Sequence, residues 1–462
     1  FYPFIFTNLR LYIKYINSKV SLNTMHYIKN YIDFKYYKLV ISIAIPMIIS
    51  NISTPLLGII DTSIIGRISI EQIGAIAIGS SFLSFLYFCF SFFRMGTTGL
   101  IAQARGINNI NAVHSVIKSN FFLALFISII CIPIVLLLKD FLLSIYTSDS
   151  LIYYHASSYI NIRIFGAPAT FINFVIFGFL LGSKKPWDLL KLVLFINFLN
   201  IILDIYLGLY LNMQLKGIAY GTLISEYLGS MLGLYYIKKY LPRADIHSKT
   251  ALIKNSIISI IKSNMNLFIR TALILTSILM FTAIGSRLGN TILAANAILI
   301  MLQMFISYSL DGFAQAAEVL IGNEYSKKNK DKIIKITIAS GIISFLFALI
   351  YFLLFYLFIN NILILMTSIE SVISEIQKYS IWIIISPLIS FLSFHMDGVF
   401  IGANKTKVMR DTVIISFIIF IISLYIFVPI YENHGLWLSF LLFLFFRGIL
   451  LLSKFSKIWK FS

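Results

Sequence analysis

Six carboxylates stand inside stretches that are otherwise apolar enough for a lipid bilayer: Asp61, Asp204, Glu226, Asp311, Glu318 and Asp397. Arg94, Arg163, Arg270 and Arg447 share such stretches. Ionisable groups in these surroundings are costly, and they commonly serve ion pathways, proton relays or buried pairs. A carboxylate with no cationic partner must keep a proton or take up a cation. Asn200 lies one helical turn before Asp204, on the same face. With the hydroxyl of Thr222, these residues offer the carboxylate, amide and hydroxyl oxygens that a dehydrated cation needs.

Depth sorts the charges. At about 1.5 Å per helical residue, Asp61 lies roughly 35 Å beyond Lys38, near the far side. Asp204 lies roughly 22 Å into its stretch, and Thr222 about 9 Å from that same far side. Asp61, Asn200, Asp204 and Thr222 therefore converge in the outer half of the first half of the chain. Arg163 is the cation nearby, with Glu226 or Asp204 as its partner. Asp311, Glu318 and Asp397 lie towards the opposite side, where Arg270 and Arg94 are candidate partners. Surplus negative charge thus remains with the first set, which suits a proton or sodium site. Three structural readings stay open. Asp61 could simply contact water, Arg94 could snorkel inward, and Met280, Met301, Met304 and Phe305 could be ordinary helix packing rather than a cavity wall.

Other chemistries find little support. Cys89 and Cys131 lie in apolar runs, and the six histidines show no ligand spacing. No GxxxxGK[ST] loop is present, which argues against an ATP-driven pump. His395 near Asp397 is the sole hint of a membrane-embedded enzyme. Neither an enzyme, a cofactor nor a metal is expected, apart from Na⁺ at Asp61, Asn200, Asp204 and Thr222.

The elements that position these groups are helices. The chain is 59% hydrophobic and 12% charged over 462 residues, far from the balance of a soluble domain. Apolar runs of about 20 residues predict an all-α integral membrane protein with helical spans, not barrel strands. Twelve spans are expected at 39–64, 74–100, 119–138, 157–181, 189–210, 216–237, 264–286, 293–320, 333–358, 378–402, 412–430 and 435–453. Of the 37 basic residues, 28 fall with the termini and even-numbered loops and five opposite; this predicts a multi-pass protein with both termini cytoplasmic. The same asymmetry accounts for the net charge of +19 and argues against nucleic acid as a partner. Residues 1–24 have no cleavable-signal layout. Met25 offers an alternative native start, so no function is built on them.

An ungapped shift of 220 residues lays 73–106 on 293–326 and FGFLLGSKK (177–185) on DGVFIGANK (397–405). Gly178, Gly182 and Lys185 thereby meet Gly398, Gly402 and Lys405. Two six-helix lobes related by an axis along the membrane normal are expected. The first would span 39–237 and the second 264–453, with a cytoplasmic segment 1–38, a linker 238–263 and a tail 454–462. In the first span, Pro46 and Pro55 each remove a backbone hydrogen bond and weaken the helix that carries Asp61. Protonation of Asp61 is expected to change the partners it keeps and so to bend this helix.

IPMIISNISTPLLGIIDTSIIGR (45–67), FRMGTTGLIAQARG (93–106), IRIFGAPATFINFVIFGFLLG (162–182), NFLNIILDIYL (197–207), GIAYGTLISEY (217–227), SLDGFAQAAE (309–318) and MDGVFIGA (396–403) together resemble the multidrug and toxin extrusion (MATE) family, most closely its DinF-type branch. The resemblance covers roughly residues 38–455. It implies a secondary active carrier of the MOP superfamily in the bacterial inner membrane, with two six-helix lobes in a V. Such a carrier exports cationic or lipophilic small molecules against inward H⁺ or Na⁺ and works as a monomer among membrane lipids. It also implies a coupling site at Asp61, Asn200, Asp204 and Thr222, and a helix-bending proline at Pro46. One departure stands out: some members have a glutamate in the seventh span, whereas here that span, NLFIRTALILTSILMFTAIG, has no acid and carries Arg270. A sodium site in the second lobe is therefore disfavoured, although Asp397 remains. The alternative is a flippase for lipids or lipid-linked precursors of the same superfamily. Such a protein would be expected to carry surplus cations for a pyrophosphate.

Overall fold

The computed structural model describes residues 33–65, 69–146, 149–241, 253–366 and 369–459. Most of the expected N-terminal segment and residues 242–252 of the linker lie outside the described residues. The described residues are almost entirely helical: α1 (Phe34–Ile65), α2 (Ile70–Cys89), α3 (Phe92–Gly106), α4 (Ile110–Tyr146), α5 (Ser150–Arg163), α6 (Ala167–Gly182), α7 (Pro186–Leu203), α8 (Gln214–Tyr240), α9 (Ile253–Arg287), α10 (Asn290–Tyr325), α11 (Lys330–Met366), α12 (Glu370–Gly402) and α13 (Thr406–Ser453). Several run past the expected spans at their polar ends. The α9 helix begins eleven residues before Asn264, because a helix needs apolar residues only where lipid surrounds it.

Local chemistry explains the joints. Helices α2 and α3 form one span interrupted at Phe90 and Ser91. A tight 3₁₀ turn, Ile164–Gly166, joins α5 to α6. Pro168 follows it and donates no backbone hydrogen bond to the carbonyl four residues before. Helix α1, by contrast, continues through both Pro46 and Pro55.

Among the described residues, ten helical stretches are long and apolar enough to cross a membrane. The twelve-span expectation differs from that count in two places. One is α8, which has 27 residues and is rich in glycine, tyrosine and lysine. The other is α13, whose 48 residues would extend roughly 72 Å if straight, about twice a bilayer core. Its backbone breaks at Glu432 (φ 47°, ψ −122°). Beyond the break, Gly435 packs against the carbonyl of Phe427. Residues eight apart in a straight helix would be about 12 Å distant, so the chain doubles back here. A ring of polar contacts holds the reversal, with Asn296 and Asn433 exchanging hydrogen bonds of 2.7 and 3.0 Å and Trp437 donating to Asn296.

The 220-residue repeat extends through the whole described fold. Helix α4 and helix α11 correspond end for end at that shift. Six of the seven described non-glycine residues with positive φ pair likewise, Asn108 with Lys328, Lys184 with Asn404, and Asn212 with Glu432; Gln214 has no such counterpart. Gly178 and Gly182 abut the carbonyls of Arg94 and Thr98; Gly398 and Gly402 abut those of Ala314 and Glu318. Each of these contacts shifts by 220 into the other. Equivalent residues also meet one another, Ala102 with Gly322 and Gly106 with Ser326. Two parts of a structure can touch through equivalent atoms only on their symmetry axis, so the pseudo-twofold axis passes between α3 and α10. Gln103 adds a cross-link there, donating to the carbonyl of Gly402 at 2.7 Å. The molecule is closed at this end.

Candidate functional site

Three elements bring Asp61, Asn200, Asp204 and Thr222 together. Asp61 sits near the end of α1, Asn200 in the last turn of α7, and Thr222 on α8. Asp204 opens a π-helical segment, Asp204–Tyr210, that continues α7. Such widened turns are rare and frequent at functional sites. Here the segment presses against α8, where Gly217 and Gly221 leave the room: Gly217 lies against the backbone of Leu207 and Gly208, and Gly221 against the Asp204 carboxylate. A side chain at either position would push the segment away. The spacing is the small-xxx-small pattern that allows close helix approach in membranes.

All four side chains are buried; Asn200 and Asp204 are 0% exposed and Asp61 9%. The Asn200 amide donates to Asp204 Oδ1 at 3.1 Å and to Thr222 Oγ1 at 3.2 Å. The Thr222 hydroxyl donates its own hydrogen bond to the carbonyl of Ile218. Asp61 and Asp204 lie within hydrogen-bonding reach of each other. Two carboxylates so placed repel unless a proton or a cation lies between them. Three buried oxygens have no protein partner: Asp61 Oδ1, Asn200 Oδ1 and Asp204 Oδ2. Buried acceptors are normally satisfied, so this donor set fits a proton shared by the acids or a small hard cation held by their oxygens. Among the described residues, no group of three His, Cys, Asp or Glu could hold a metal ion.

Of the two partners open to Arg163, the structure brings Glu226 to it. The ion pair measures 3.3 Å, and Thr170 donates to the same carboxylate at 2.7 Å. Tyr87 donates to the Arg163 carbonyl, and Tyr159 is buried with its ring against Gly79. One carboxylate of the first half is thereby neutralised and two remain. Tyr159 escaped sequence reasoning, since nothing in its spacing sets it apart from other aromatic core residues.

The second half is arranged differently. Asp397 accepts from Arg270 and, at 2.7 Å, from Arg447; all three side chains are at most 8% exposed. Arg447 is the partner that sequence reasoning passed over, although its place in an apolar helix was visible. Arg94 is near enough to Asp311 and Glu318 for their charges to interact, although its Nη1 has no hydrogen-bond partner. The three acids and three arginines balance in number, so this cluster carries no surplus charge, although Glu318 Oε1 and Asp397 Oδ1 also have no hydrogen-bond partner. Asp311, Glu318, Asp397 and Arg270 thus stand apart from the four residues around Asp61. His395 is buried near Gly341 on α11, and Cys89 and Cys131 are free thiols.

Pro46 lies in the part of α1 that faces the second lobe. Two turns around it touch α10: Ile48 packs on Gly312, and Asn51 donates to the carbonyl of Tyr308 at 3.1 Å. On its other side, Asn197 of α7 donates to Ser53 of α1 at 3.0 Å. One helix therefore joins the buried acids to the opposite lobe.

The MatE family model matches residues 46–206 and 267–426, one match in each half. The DNA damage-inducible protein F of Escherichia coli K12 is 34% identical over 430 residues, covering 90% of this chain and 92% of that one. A probable multidrug resistance protein NorM from Thermotoga maritima is 25% identical over 378 residues, 80% of each chain. Among solved structures, the outward-facing form of a multidrug resistance MATE transporter of the MOP superfamily superposes with a TM-score of 0.83. It shares 17% identity and covers 92% of this chain and 97% of that one, a likeness of fold.

Proposed function

The chain belongs to the MatE family of multi-pass membrane transporters, and we propose that it is a secondary active exporter of cationic or lipophilic small molecules, driven by inward H⁺ or Na⁺ at Asp61, Asn200, Asp204 and Thr222. The observation that carries this reading is the pair of facing carboxylates with three unpartnered buried oxygens around it. With the ion bound, α1, the π segment and α8 are drawn together. Without it, Asp61 and Asp204 repel across a medium of low dielectric, and α1 must move. Its contacts with Asn197 on one side and with Tyr308 and Gly312 on the other transmit that motion to the second lobe. Pro46 provides the compliance. With the α3–α10 end closed, ion exchange occurs from the opposite side, which the charge distribution makes the outside of the inner membrane.

The test is uptake of ethidium, a lipophilic cation, into liposomes carrying the purified protein under an imposed pH gradient and then a sodium gradient. Transport under the pH gradient identifies proton coupling, and transport only under sodium identifies Na⁺. No transport under either would contradict the exporter and bring forward a lipid-linked flippase.

A further inference from the structure

A cavity of about 380 Å³ opens between α9 and α13, lined by Ile261, Lys262, Met265, Asn266 and Arg410. It shares no residue with the coupling site or with the arginine cluster around Asp397. Its depth is set by the helices. Lys262 lies two residues inside the start of the apolar stretch of α9 at Ile260, and Arg410 lies just past the first turn of α13. Both cations therefore stand at the boundary between lipid tails and polar headgroups, at the end where basic residues gather.

The lining has two characters. Asn266 is buried, gives its amide proton to Thr406 and accepts from Arg410 Nη1 at 2.9 Å. Arg410 also donates twice to Asp411, which fixes its guanidinium and leaves further N–H groups free. Lys262 forms no ion pair among the described residues. Lys262 and Arg410 against Asp411 leave one net positive charge, the complement of a single phosphodiester. Beside them, Ile261 and Met265 lie one turn apart on α9 and are 43% and 54% exposed. A soluble anion would gain nothing from that apolar wall, whereas an acyl chain would cover it. Basic pockets between helices at the cytoplasmic face are suited to anionic lipid headgroups.

We propose that this cavity seats the headgroup of an anionic phospholipid of the cytoplasmic leaflet. Its phosphate would lie between Lys262 and Arg410, and an acyl chain along Ile261 and Met265. The experiment is native mass spectrometry of the full-length protein released from detergent, titrated with phosphatidylglycerol or phosphatidylcholine. Wild type should retain one phosphatidylglycerol in preference to phosphatidylcholine. Lys262→Gln should weaken that retention roughly fivefold, and adding Arg410→Gln should weaken it further. Lys262 is exposed, so the single variant keeps the proposal testable if loss of Arg410 impairs folding. A control, Lys118→Gln with Lys238→Gln, removes the same charge elsewhere and should leave retention intact. Equal loss in the control, or none in the Lys262 variant, would overturn the site. Displacement of the lipid by millimolar inorganic phosphate would overturn the lipid and assign the cavity to a free anion.

Discussion

The two halves of this molecule share a backbone and hold opposite chemistry at equivalent places. Shifting by 220 residues carries Asp61, Asn200, Asp204 and Thr222 onto Phe281, Phe420, Leu424 and Leu442. Where the first half has facing carboxylates with unpartnered oxygens, the second has Phe281 packed edge-on against Trp437 at 5.0 Å and Phe420 against Phe443 at 5.7 Å. The reverse shift carries Asp397, Arg270 and Arg447 onto Phe177, Ser50 and Tyr227. Symmetry therefore supplies the scaffold, and its breaking supplies direction. One lobe keeps a buried acidic pair with no arginine to balance it. The other balances its acids with arginines in equal number, although Glu318 Oε1, Asp397 Oδ1 and Arg94 Nη1 also lack partners there.

That contrast is open to attack from both sides. Asp397→Asn should have the largest effect on stability. It leaves Arg270 and Arg447 buried without their carboxylate, a class of change that costs about 3–5 kcal/mol; a thermal unfolding scan in detergent should show a much lower midpoint and low expression. Asp61→Asn should behave oppositely, because it removes a repulsion. Gradient-driven ethidium export should disappear while the unfolding midpoint holds or rises. A midpoint that falls as far as that of Asp397→Asn would erase the distinction between the lobes. Gly221→Ala comes next. Its new Cβ meets the Asp204 carboxylate, and overpacking of this kind costs about 1–3 kcal/mol. Export should fall with a modest loss of stability, whereas Gly58→Ala, with open space around it, should change neither. Smallest is Pro46→Ala, expected to slow export severalfold at unchanged expression; unchanged export would remove the helix-bending role from the mechanism.

Much of this was legible in the sequence, for reasons that differ by residue. The buried acids stood out because charge is rare in apolar runs, and the depth count placed four oxygen-bearing residues that the fold gathers. The repeat showed through Gly178, Gly182, Gly398 and Gly402, which the close packing on α3 and α10 cannot replace with larger residues. The reversal at Glu432 fell in the gap between two expected spans. Other features were out of reach. The π segment at Asp204 depends on Gly217 and Gly221, and no pattern within the segment announces it. Choosing Glu226 over Asp204 for Arg163 required side-chain positions three helices apart. Arg447 was visible as a charge, but its pairing with Asp397 spans 50 residues and left no local trace.

The central claim is that the coupling ion sits between Asp61 and Asp204 and nowhere in the second lobe. The most direct test is ion release from solubilised protein on adding ethidium, followed in weak buffer with a pH indicator and in parallel with a sodium electrode. Wild type should release H⁺ or Na⁺, and both Asp61→Asn and Asp204→Asn should release neither while still folding. Release from these variants equal to that of wild type would place the ion elsewhere and contradict the account.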